Sequence, residues 1–151
     1  MKFYMILATV IFLLDQITKQ LVQRSIPFGE ATPLIDGVFY FTHITNSGAA
    51  FGMFRNFTWL LIILSVIIIV GVIYIIEKRK ITCIWQKLGL AFTLGGALGN
   101  LFDRIVFGAV IDFLDFRLIN FPVFNIADIF IVIGAILLIL TIIFAKKTDE
   151  K

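Results

Sequence analysis

The chain has 151 residues, 60% hydrophobic and 15% charged, with a formal net charge of +3 and a mean hydropathy of +1.05. A soluble domain is about 45–50% apolar and about 25% charged, so the composition excludes one and predicts a single integral membrane domain over residues 1–151. Its length accommodates about four helical spans of roughly 20 residues each.

The spans are predicted near residues 3–24, 57–76, 82–106 and 125–145, with polar connectors over 25–56 and 107–124. The first run, Phe3 to Leu14, is uncharged and is followed by Asp15 and Lys19. A secretory signal peptide is the competing reading, but no convincing small-residue cleavage site follows, and Ile17, Leu21 and Val22 continue the helical spacing. Asp15 and Lys19 are four apart and share a helix face. They either form an ion pair that lets the helix insert or orient a polar site in the bundle; in lipid, both readings turn the pair inward.

The first connector carries Pro27, Gly29, Pro33, Asp36 and Gly37 as turn residues. Within it, Val38 to Ile44 is β-branched and aromatic, which favours a strand lying on the membrane surface. His43, the one histidine, is expected as a surface or interfacial side chain. Asn46-Ser47-Gly48-Ala49-Ala50-Phe51-Gly52 follows, where small residues allow close backbone approach. Phe57 to Ile76 is free of charge and ends at Glu77-Lys78-Arg79-Lys80. In the third span, Gly95 and Gly99 make a small-residue face for helix contact. Asn100, Asp103 and Arg104 make one face of its outer turn polar, as a helix end in headgroup water or as a brace for a site.

In the second connector Gly108 permits a tight turn, and Val110, Phe113 and Phe116 are expected to hold the segment against the bilayer. Asp112 lies between Ile111 and Phe113, in an apolar setting. Asp115 follows, with Arg117 as a plausible partner. Asn125 to Asp128 opens the last span with the pattern of a capping box.

Basic residues give the topology. Lys2 lies at the N-terminus, Lys78, Arg79, Lys80 and Lys87 around one short loop, and Lys146, Lys147 and Lys151 in the tail. The positive-inside rule places all three regions in the cytoplasm. This pattern is a topology signal, and no nucleic-acid partner is expected. The outer layer then collects Asp15, Lys19, Asn46, Asn100, Asp103, Arg104, Asp112, Asn125 and Asp128. Cys83, the single cysteine, falls near the basic loop, away from His43. One His and one Cys make a zinc site improbable, and no metal or organic cofactor is expected. With no Ser, Cys or His in a triad-like set, acid–base chemistry by carboxylates remains, in which two adjacent acids share a proton and one activates water. The competing functions are a small proton- or ion-coupled transporter and a non-enzymatic membrane scaffold.

Five pieces of the sequence carry a resemblance: Asp15-x-x-x-Lys19; Asn46-x-Gly48-Ala49-Ala50-Phe51; Gly99-Asn100-x-x-Asp103-Arg104; Gly108-x-Val110-x-Asp112-Phe113; and Phe124-Asn125-x-Ala127-Asp128. In this order, on a four-span chain, the sequence resembles the lipoprotein signal peptidases (type II signal peptidases), intramembrane aspartyl proteases of bacteria. The resemblance implies an all-α membrane protein of four transmembrane helices with a small extracytoplasmic β-cradle around Phe39 to Gly52. It implies that Asp112 and Asp128 activate a water that cleaves a prolipoprotein signal peptide just before a diacylglyceryl-modified cysteine. Asn46, Asn100, Arg104 and Asn125 would hold substrate or the catalytic carboxylates; Asp15, Lys19 and Asp103 would brace the helices. The implied setting is the bacterial cytoplasmic (inner) membrane, with the site at the extracytoplasmic face, contact with membrane lipids and sensitivity to globomycin-type inhibitors. A monomer is the expected state.

Overall fold

Four apolar runs become four helices: α1 Lys2–Ser25, α2 Thr58–Lys78, α3 Ile84–Phe107 and α4 Ile126–Thr148. Each is long and apolar enough to cross a membrane, where a helix satisfies its backbone polar groups internally. The computed structural model describes residues 1–48, 53–55 and 57–148. Ala49, Ala50, Phe51 and Gly52 of the second motif region, and Lys151 of the basic tail, lie outside the described residues.

The helix ends follow local chemistry. Ile26, before Pro27, is extended at φ −126° and ψ 121°, because the proline ring disfavours helical backbone at the preceding residue. Gly108 ends α3 in the left-handed region at φ 75°, a conformation costly for side chains with a Cβ. The central helix is α3, which packs against α1, α2 and α4. Gly95 lies against Ala8 and Ile11 of α1, and a Cβ at Gly99 would meet Asp15 Oδ2 at 2.5 Å. The small-residue face expected there is therefore a helix contact. At the end bearing the N-terminus, Tyr4, Ala8, Ile69, Val72, Leu90 and Leu94 form an apolar core.

The other end carries a three-stranded antiparallel sheet in the order β1-β2-β3, with β1 Ala31–Ile35, β2 Phe39–Asn46 and β3 Val110–Phe116. The strand expected over Val38 to Ile44 is β2, shifted toward Asn46. Pro33 lies in β1, an edge strand, where a missing N–H is tolerated. Ile44 pairs with Asp112 and Asn46 with Val110, after a register shift beyond Phe41.

Two expectations need correction. Val110 and Phe113 do not face the bilayer; both are buried in the protein, and Phe113 packs with Val22, Ile26 and Leu114. His43 is not a surface side chain; it is buried, with Nδ1 2.8 Å from the Ile26 carbonyl oxygen and its ring edge-on to Phe28. The short sheet, pressed onto the helix ends, supplies a protein environment that a bilayer-facing connector would lack.

Candidate active site

Asp112 enters the site from β3 and Asp128 from the first turn of α4. Local folding fixes the second. The Asn125 side-chain oxygen accepts the Asp128 N–H at 2.9 Å, and Asp128 Oδ2 accepts the Asn125 N–H at 3.2 Å. This is the reciprocal capping box read from the sequence, and it aims the carboxylate while closing the helix.

Neutral amides then hold both acids. Asn125 Nδ2 donates to Asp112 Oδ1 at 2.7 Å, and Asn46 Nδ2 donates to Asp112 Oδ2 at 3.0 Å. Asn100 Nδ2 donates to Asp128 Oδ1 at 2.7 Å, and Asn125 Nδ2 also reaches Asn100 Oδ1 at 3.1 Å. Asn125 thus touches both acids, and Asn100 joins it to Asp128. Burial, and next the charge of Asp128, push the pKa of Asp112 up to about 7, against the hydrogen bonds from Asn46 and Asn125 and the attraction of Lys19. Burial disfavours the charged form of a carboxyl, and a neighbouring carboxylate adds to it.

One hydrogen bond beyond Asn100 lies a buried ionic cluster. Lys19 Nζ is 2.8 Å from Asp15 Oδ2 and 2.8 Å from Asp103 Oδ2, and all three side chains are at most 1% exposed. The ion pair expected between Asp15 and Lys19 is present, but Lys19 serves a second carboxylate too. Asp103 is not a helix end in headgroup water; its partners are Lys19, Gln16 and the Ile111 N–H. Such a cluster must be well paired to offset the cost of desolvation. Gln16, overlooked in the sequence, donates to Asp103 at 2.9 Å and Asp15 at 3.2 Å. Its one visible signal was a polar amide beside Asp15 in an apolar run.

A cavity of about 480 Å³ opens onto these groups, lined by Asn46, Asn100, Arg104, Asp112 and Asp128 and walled by Phe121 to Phe124, Ile129, Val132 and Ile133. Of these wall residues, Ile129, Val132 and Ile133 carry no sequence signal of their own, since an apolar groove has no sequence pattern distinct from a lipid-facing helix. Arg104 donates to the Asn100 and Gly48 carbonyls at 3.4 Å each. The arrangement offers two carboxyls, amides that orient them, a cation and an apolar surface. Among the described residues, no group of three or more His, Cys, Asp and Glu side chains is arranged to hold a metal ion.

The family model described as Signal peptidase (SPase) II matches residues 7–144. Similar relatives include the lipoprotein signal peptidase of Brevibacillus brevis, 41% identical over 97% of this chain and 99% of that protein. The lipoprotein signal peptidase of Halalkalibacterium halodurans is 42% identical over 98% of this chain and 96% of that protein. A solved bacterial membrane enzyme structure superposes with a TM-score of 0.89 at 30% identity, covering 98% of this chain and 90% of that one.

Proposed function

The chain belongs to the signal peptidase II family, and on that premise we propose that Asp112 and Asp128 are the catalytic pair with which it cuts prolipoproteins. It is an aspartic-type membrane peptidase that removes the signal peptide from prolipoproteins. The transporter alternative has no support: among the described residues, the buried Asp, Lys and His side chains gather at the sheet end of the bundle.

The observation that carries the proposal is the shared amide network, which joins both carboxylates at one cavity. Near neutral pH the pair holds one proton. The ionised member takes a proton from water as the water oxygen attacks the scissile carbonyl carbon; the protonated member gives its proton to the carbonyl oxygen. Collapse of the tetrahedral intermediate breaks the C–N bond: the proton taken from water passes to the leaving nitrogen, and a hydroxyl of the intermediate returns its proton to the other carboxylate, which restores the singly protonated pair. Asn46, Asn100 and Asn125 hold the carboxylates, and Arg104 faces substrate. Asp15, Lys19 and Asp103 support them from behind.

The scissile bond precedes a diacylglyceryl-modified cysteine, whose acyl chains rest on the apolar wall and in the surrounding lipid. Lys78, Arg79, Lys80 and Lys87 surround the α2–α3 turn, at the end opposite the cavity, so the positive-inside rule sets both termini in the cytoplasm and the site at the extracytoplasmic face of the bacterial inner membrane. The β-sheet there forms the cradle. The enzyme acts as a single-domain monomer, and globomycin-type cyclic peptides inhibit it at this cavity. The test is cleavage of a diacylglyceryl-modified prolipoprotein by purified protein: activity that survives EDTA supports the mechanism, and activity that requires added metal rejects it.

A further inference from the structure

Two carboxylates act together only if their spacing is held, and here they arrive on separate elements. The residue just before each is gripped by a remote acid. The Ala127 N–H donates to Asp15 Oδ1 at 2.9 Å, and the Ile111 N–H donates to Asp103 Oδ2 at 3.1 Å. Lys19 Nζ bonds both of those acids at 2.8 Å. A continuous path therefore runs from the first turn of α4 through Asp15, Lys19 and Asp103 to β3.

The third bond of Lys19 goes to Asn100 Oδ1 at 3.2 Å. An ammonium group has three donors and no acceptor. Together with Asn125 Nδ2, which donates to the same oxygen at 3.1 Å, it fixes which end of the Asn100 amide faces it, and leaves Nδ2 to donate to Asp128 at 2.7 Å. A flipped amide would set N–H against N–H and oxygen against carboxylate. Mere charge compensation would not require this division of three donors among Asp15, Asp103 and Asn100.

We propose that Lys19 is a positioning residue for the hydrolysis: its three donors set the spacing of Asp112 and Asp128 through Asp103 and Asp15, and the orientation of Asn100 at Asp128. This rests on Asp112 and Asp128 being the catalytic pair.

The test is the double variant Asp15→Asn, Lys19→Met in the full chain. It removes one charge of each sign and leaves an oxygen at position 15 for the Ala127 N–H. The expected result is a folded protein whose kcat falls by about 100-fold, as for a small misplacement of reacting groups, with KM within about threefold of the parent. A folded double variant with kcat within about threefold of the parent overturns the proposal. Should that variant not fold, the ¹⁵N resonance of the Lys19 ammonium is compared in the parent and in Asp128→Asn. A displaced resonance supports the coupling through Asn100, and an unmoved one overturns it. Asp112→Asn and Asp128→Asn run alongside: if they keep full activity, the catalytic assignment itself fails, whereas their inactivity beside an active double variant rejects only the role of Lys19.

Discussion

Asp112 and Asp115 stand three residues apart on β3, on opposite faces of the strand, and their surroundings differ in kind. Asp112 is held by the neutral amides of Asn46 and Asn125. Asp115 accepts from the Thr42 hydroxyl at 2.7 Å and pairs with Arg117 Nε at 2.8 Å, the guanidinium of Arg117 lying 3.8 Å above the Tyr40 ring. Arg117 and Thr42 tie the Asp115 carboxylate into the sheet. Amides orient a carboxylate but leave room for a proton, and burial then lifts Asp112 to about 7. One strand thus carries an acid suited to proton exchange and another suited to pinning the sheet.

Substitutions should separate these roles. Asp112→Asn and Asp128→Asn are each expected to lower cleavage by roughly 10²–10⁴-fold, measured on diacylglyceryl-modified prolipoprotein, whereas Asp115→Asn should retain activity within a few-fold. Equal losses at residues 112 and 115 would break the distinction. Asn125→Ala removes the amide between the acids and the cap of α4; a loss of about 100-fold in kcat is expected, with destabilisation of roughly 0.5–2 kcal/mol in a denaturation curve. A pH–rate profile should fall by up to about tenfold per unit above pH 7, as Asp112 loses its proton. The same raised pKa has a defined sign for stability. The native state binds this proton more tightly than the unfolded chain, so its contribution is full below the ordinary carboxylate value of about 4 and is lost as pH rises through about 7.

Smaller effects test the supports. Gly99→Ala would press a methyl group onto Asp15, and a loss of roughly 1–3 kcal/mol in stability is expected, read in the same denaturation experiment. Arg117→Ala should have the least effect, leaving kcat unchanged and the melting temperature nearly so, because its side chain is 43% exposed and its ion pair is solvent-screened.

Much of this was legible in the chain because the relevant signals are local. Twenty-residue apolar runs, the four-residue spacing of Asp15 and Lys19, the cap from Asn125 to Asp128 and the proximity of Asp115 to Arg117 all depend on near neighbours. What was hidden depends on chain segments meeting. β3 shows no apolar–polar alternation, since both of its faces are covered, and it read as a connector held to the bilayer. β1 was masked by Pro33, which an edge strand accepts. The pairing of Asp103 with Lys19 crosses from α3 to α1, and no local spacing announces it. His43 looked interfacial because its partner, the Ile26 carbonyl, is a backbone atom that no side-chain pattern announces.

On the proposed mechanism, Asp112 and Asp128 work as one unit around a shared proton. The most direct measurement compares single-turnover cleavage by Asp112→Asn, by Asp128→Asn and by the two combined. Residues of one catalytic unit lose nearly the whole effect at the first removal, so the combined variant should be no slower than the slower single variant. Losses that multiply would show two independent contributions and contradict the shared-proton mechanism.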